Sequence, residues 1–114
     1  MEKQILNLTA ALELVDGDKE LLTILLETFL KESDFNADKV LQFVSANNYI
    51  EGAKYVHATK GAGRQICAVQ LTTVGQSLED ILRGKATGNI PELAKQMEKE
   101  YNVVKEEIKK ALQN

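Results

Sequence analysis

The stretch Tyr55-Val56-His57-Ala58-Thr59-Lys60-Gly61-Ala62-Gly63-Arg64-Gln65-Ile66 contains the only histidine of the chain. Its apolar and small residues recur at helical spacing, with no period-two alternation. Turned at about 100° per residue, it sets His57 on one face with Lys54, Lys60, Gly61 and Arg64. Tyr55, Thr59, Ala62 and Ile66 fall on the opposite face. A helix buries its apolar stripe, so the histidine should point into water beside two cations. Such a helix needs neighbours to cover its other side, and the flanking sequence offers more helices.

The two glycines sharpen this reading. Each costs about 1 kcal/mol relative to alanine inside a helix. Gly61 stands four residues after His57, where a side chain would crowd the imidazole. Its absence clears space for a bulky, temporary group. Lys60 supplies a mobile positive charge to meet an anion held there. An exposed imidazole, a cleared space and an ammonium suit a histidine that carries a phosphoryl group. Gly63 points to the flank of the core, where it permits close helix packing.

The 114 residues suit a single domain spanning 1–114. Apolar residues make up 44% and charged residues 27%, with one proline and seven glycines. These values favour a globular, all-helical chain. The formal net charge of −3 argues against general nucleic-acid binding. No acidic residue occurs between Glu51 and Glu79, whereas Lys54, Lys60 and Arg64 do, which predicts a basic face around the histidine. The single cysteine, Cys67, excludes an internal disulfide and fits a reducing compartment. No apolar run approaches the roughly 18 residues of a membrane span. Met1-Glu2-Lys3-Gln4 lacks the layout of a secretory signal. The expectation is a cytoplasmic protein, separate rather than part of a larger kinase, monomeric and without membrane contact.

In chain order, residues 1–7 read as a lead-in. Asn7 caps a brief helix through Leu14 whose apolar side is Leu8, Leu12 and Val15. Asp16-Gly17-Asp18 stops it, and Asp18 caps a long helix over about Lys19 to Ala46. Its stripe is Leu22, Leu25, Phe29, Asn36, Val40 and Val44, with a polar patch at Glu32 to Asp34 that marks at most a bend. Asn48-Tyr49-Ile50-Glu51 matches a capping box opening the histidine helix, Tyr49 to Ile66. A further helix from around Ala68 to Leu82, following either a small break near Cys67 or almost no break, presents Leu71, Val74, Leu78, Ile81 and Leu82. Gly84 to Asn89 is a loop, and Pro91 opens a last helix with the stripe Leu93, Met97, Tyr101, Val104, Ile108 and Leu112. Four substantial helices with short connections predict an up-down antiparallel four-helix bundle plus a short extra N-terminal helix.

With these residues in view, the chain resembles the histidine-containing phosphotransfer (HPt) domains of multistep two-component phosphorelays. Their His-x-Leu-Lys-Gly signature, a following Gly-Ala step and a later Leu-Glu pair are matched by His57-Ala58-Thr59-Lys60-Gly61, Cys67-Ala68 and Leu78-Glu79. Phe29, Asn47-Asn48 and Gly88-Asn89 also fall at usual family positions. Thr59 replaces the usual leucine and Cys67 the usual glycine, both on the packing side of the motif or beyond it.

The resemblance implies that His57 accepts a phosphoryl group on Nε2 from a receiver-domain aspartate and passes it to another response regulator. The donor would be the receiver of a hybrid sensor kinase. The chain would then be a phosphocarrier without kinase activity or cofactor, Mg²⁺ belonging to the receiver. Lys60 would offset phosphoryl charge and Gly61 would give room. Glu79 or Gln76 would hold the imidazole Nδ1–H. Arg64 and Lys54 would attract the acidic receiver pocket, with Ile50, Ala53 and Ala58 as exposed contacts.

Other readings are weaker. One histidine and one cysteine do not make a metal site, and a thiol at Cys67 would lack a base because His57 faces away. The competing class is a non-phosphorylated adaptor that binds a receiver domain, or a purely structural bundle.

Overall fold

The computed structural model describes residues 5–113, which form an all-helical chain. In order these are α1 (Leu8–Leu14), α2 (Lys19–Glu32), α3 (Ala37–Ser45), α4 (Tyr49–Gln65), α5 (Val69–Leu82) and α6 (Ile90–Gln113). The N-terminal lead-in lies partly outside the described residues. α3, α4, α5 and α6 close a ring of contacts, each touching the next and α6 returning to α3. α2 packs across α6 and α4, and α1 leans on α2.

The core follows from the stripes. On α6, Ala94, Met97, Tyr101, Val104 and Ile108 are buried, at the three- and four-residue steps that keep one face of a helix turned inward. They meet Leu71, Val74, Leu78 and Leu82 of α5 and Val40 of α3. Fully burying a side chain of the size of Leu71 or Ile108 is worth roughly 1.5–3 kcal/mol. On α1 the buried residue is Ala11, and Leu8 is exposed, so the apolar side lies one step away from the one expected.

The long second helix is in fact two. Ser33 ends α2 in an extended conformation, and Asn36 caps α3 by accepting from Lys39 N–H at 3.3 Å. The interruption is held from other helices. Tyr101 donates its hydroxyl proton to Ser33 O at 2.8 Å, and Tyr55 Oη accepts from Asn36 N–H at 2.8 Å. Glu98 Oε1 accepts from Ala37 N–H at 2.9 Å. Phe35, between the helices, is buried and stacks on Tyr55 with ring centroids 5.4 Å apart. Tertiary partners thus replace the helical bonds that the break gives up.

Four helices end alike, with the residue after the C-cap turned left-handed and two amides reaching back. After α1, Asp16 (φ 54°) is followed by Gly17, whose N–H meets Leu12 O at 2.9 Å. After α3, Asn47 (φ 60°) is followed by Asn48, whose N–H meets Phe43 O at 2.7 Å. Gly84 plays the same part after α5. The expected capping box at Asn48 does not form, because Asn48 makes no side-chain cap bond; its place is set by this turn.

After α4 the left-handed residue is Cys67 (φ 56°), with Ala68 N–H on Gly63 O at 2.9 Å. A side chain in this region costs roughly 1–2 kcal/mol, of which glycine's greater unfolded-state entropy would return about half. Cys67→Gly should therefore raise stability by about 0.5 kcal/mol, read as a higher urea midpoint at unchanged slope. A lower midpoint would mean that the thiol's packing outweighs its backbone strain.

Candidate functional site

α4 and α5 approach closely because small residues face each other. A Cβ at Gly63 would lie 3.2 Å from Leu71 Cδ2 and Thr72 Cγ2, and one at Gly75 would lie 3.3 Å from Lys60 Cβ. The Lys60 stem therefore crosses α5 at Gly75 and carries its ammonium into the interface. Lys60 is 4% exposed, which corrects the expectation of a mobile surface charge. The buried side of α4 comprises Gly52, Ala53, Val56, Thr59, Lys60 and Gly63. It is turned from the side opposite His57 toward α5, and so takes in Lys60 and Ala53.

His57 remains outside, its side chain 58% exposed. Its Nδ1 lies 3.1 Å from Glu79 Oε2 and 3.2 Å from Oε1. Glu79 is 5% exposed. Lys60 Nζ reaches Glu79 Oε1 at 2.8 Å, and Arg83 Nε reaches Oε2 at 2.8 Å. Burial by itself would push the Glu79 carboxyl up, but the hydrogen bonds from Lys60, Arg83 and His57 outweigh it and hold the pKa at about 2. A carboxylate accepts and cannot donate, so in the neutral ring the proton sits on Nδ1 and Nε2 keeps the lone pair. The nitrogen turned away from Glu79 is thereby the one with the free lone pair.

Of the two residues expected to reach the imidazole, Glu79 does and Gln76 does not. Gln76 Oε1 accepts instead from Lys60 Nζ at 2.8 Å and from Arg64 Nη2 at 3.4 Å, while its Nε2 donates to Asp80 Oδ1 at 2.8 Å. Gly61 has open space where a Cβ would be. Arg64 and Ala58 are exposed, and Ile50 is 54% exposed. Ala53 is fully buried and offers no contact surface, because its side chain lies on the α5 side of the helix. Lys54 is exposed but paired with Glu51 at 3.3 Å. With Lys60 inside, the basic face is narrower than the sequence implied and rests on Arg64, Lys54 and the partly exposed Arg83.

A groove of about 530 Å³ runs from His57 and Gly61 between α4 and α2. Leu25 and Phe29 of α2 and Tyr55, Ala58 and Ala62 of α4 line it. Ile24 and Leu21 of α2 are exposed nearby along the chain. The sequence reading missed α2 as a wall of the site, since no local pattern says which helix lies beside α4. It also missed Arg83, although Glu79 and Arg83 stand at the i, i+4 spacing of a helical ion pair. No group of three or more His, Cys, Asp or Glu side chains placed to hold a metal ion occurs among the described residues. No described helix is long and apolar enough to cross a membrane.

The family model described as the Hpt domain matches residues 24–114. No curated protein and no solved structure matches the chain.

Proposed function

The chain belongs to the Hpt domain family, phosphocarriers rather than kinases that work with receiver domains in two-component phosphorelays, and from that premise we propose that His57 is its phosphoacceptor. His57 Nε2 attacks the phosphorus of a receiver's aspartyl phosphate. The N–P bond forms, the P–O bond to the aspartate breaks, and the receiver carboxylate leaves. The reverse step loads the aspartate of a second receiver. The observation that carries this reading is the bond from His57 Nδ1 to a buried, ionised Glu79, which leaves Nε2 free and offsets the positive charge that develops on the ring.

The receiver would hold the Mg²⁺ and would dock over His57 and the groove, touching Ile50, Ala58 and the α2 residues Leu21, Ile24 and Leu25. Arg64 and Lys54 at the rim would steer its acidic pocket. Lys60 would act on the phosphoryl group from below, through its field. α3 to α6, with their ring of contacts and short connections, fit an up-down antiparallel bundle with α1 and α2 packed against it.

The test is incubation with phosphorylated receiver domains from the same cell, followed by assay of acid-labile, alkali-stable phosphate on this chain. Mapping the label to His57 supports the relay, and the fastest donor identifies the partner. If no receiver transfers phosphate to the folded protein but one binds it, the adaptor reading replaces this one. Gly61 provides a second check. Gly61→Ala should raise stability by up to about 1 kcal/mol through helix propensity. It should also slow phosphoryl uptake by about tenfold, because the added methyl, though clear of the imidazole, takes up part of the open space that the incoming phosphoryl group and receiver would enter. Uptake at the wild-type rate would remove any role for the open space.

A further inference from the structure

We propose that Arg83 is a positioning residue for His57, acting through the Glu79 carboxylate, and that Lys60 shares this task instead of binding the transferred group. The kinetic part rests on the phosphocarrier reading; the structural part does not.

The geometry is that of a carboxylate held from both ends. Lys60, from α4, takes Oε1 at 2.8 Å, and Arg83, from the end of α5, takes Oε2 at 2.8 Å. The imidazole Nδ1 sits almost evenly between the two oxygens, at 3.2 and 3.1 Å. With both cations in place the carboxylate cannot pivot, and the proton it accepts is pinned on Nδ1. Lys60 Nζ is further anchored by Gln76 Oε1 at 2.8 Å, and its side chain is 5% exposed. It is therefore spent on the interface and not free to follow a phosphoryl group.

Without Arg83, Oε2 would keep, among the described residues, only the imidazole as partner. The carboxylate could then turn about its Lys60 contact, and the ring would lose the acceptor that selects its tautomer. Arg83 is the separable member of the network. Its side chain is 30% exposed, so removing it opens no sealed cavity, whereas Lys60 and Glu79 are enclosed. The charges also matter. One carboxylate faces two cations, which leaves a net positive charge beneath the imidazole before a phosphoryl dianion arrives.

The experiment compares wild type, Arg83→Ala and Arg83→Lys in two ways. Imidazole ¹⁵N shifts of the unphosphorylated proteins, at alkaline pH with the ring neutral, report the tautomer. Uptake from phosphoramidate, a donor that needs no receiver and releases ammonia as the N–P bond to His57 forms, reports the rate. The wild type should show a protonated Nδ1 and an unprotonated Nε2. Arg83→Ala should show averaged shifts and uptake slowed about tenfold, and Arg83→Lys should restore most of both. Thermal melts of all three monitor the fold; if Arg83→Ala melts early, Arg83→Met, which keeps the aliphatic stem, takes its place. Wild-type shifts and rate in the substituted protein would overturn the proposal. A wild type that takes up no phosphate from any donor would instead sink the phosphocarrier reading, and the ¹⁵N comparison would still decide the role of Arg83.

Discussion

A His57→Gln protein will fold and melt like the wild type and take up no phosphate. The His57 side chain is 58% exposed and, among the described residues, its hydrogen bonds go to Glu79 alone. Glutamine can offer an amide N–H to the same carboxylate and leaves no cavity, so the stability change should stay within about 0.5 kcal/mol. Chemically the exchange is complete, because the amide nitrogen has its lone pair delocalised into the carbonyl and is no nucleophile. Loss of label with an unchanged melt would separate chemistry from folding. Label persisting on the variant would mean that another residue is the acceptor and that the His57–Glu79 bond serves only structure.

Glu79→Gln should have the largest effect on stability. It leaves the Lys60 ammonium, 5% exposed on its side chain, without a counter-charge in the α4–α5 interface. Breaking a buried pair from one side costs roughly 3–5 kcal/mol, which lowers the melting temperature by on the order of 10 °C or more. Lys60→Met in the same background should recover part of this, since the orphaned charge is then gone.

The pH dependence has a definite sign. The Glu79 carboxyl falls from 4.5 to about 2 on folding, so its contribution is present above pH 4.5 and is lost as the pH falls toward 2. The shift corresponds to about 3 kcal/mol. Urea midpoints measured down this range should drop in the wild type, and the drop should be shallower in Glu79→Gln. Equal slopes in the two proteins would show that the carboxylate is not held by its three partners in solution.

Much of the site was legible from spacing. His57, Lys60 and Gly61 lie on one helix, where a fixed rotation per residue orders the side chains around the axis. The α4 span, the α5 and α6 stripes, and the caps at Asn7 and Asp18 follow from local chemistry as well. Periodicity gave Lys60 its bearing but not its burial. It sits at the border of the exposed arc, and whether a border residue is wet depends on how near the neighbouring helix comes. Gly75, a residue on another helix, decides that.

The same limit explains the break between α2 and α3. Residues 33–36 contain no proline, and although Ser33, Asp34 and Asn36 suit caps and turns, their local preference does not by itself fix a break. Tyr55, Glu98 and Tyr101, remote in the chain, satisfy the opened backbone. Thus the amino-acid order alone determined the helical class, the outward-facing histidine and the family signature, because each depends on residues within a turn or two of one another. Only the tertiary structure decided that Lys60 is an interior cation, that Glu79 rather than Gln76 holds the imidazole, that Arg83 belongs to the network, and that α2 walls the groove. Those depend on distances between helices, which close packing of side chains from distant parts of the chain sets.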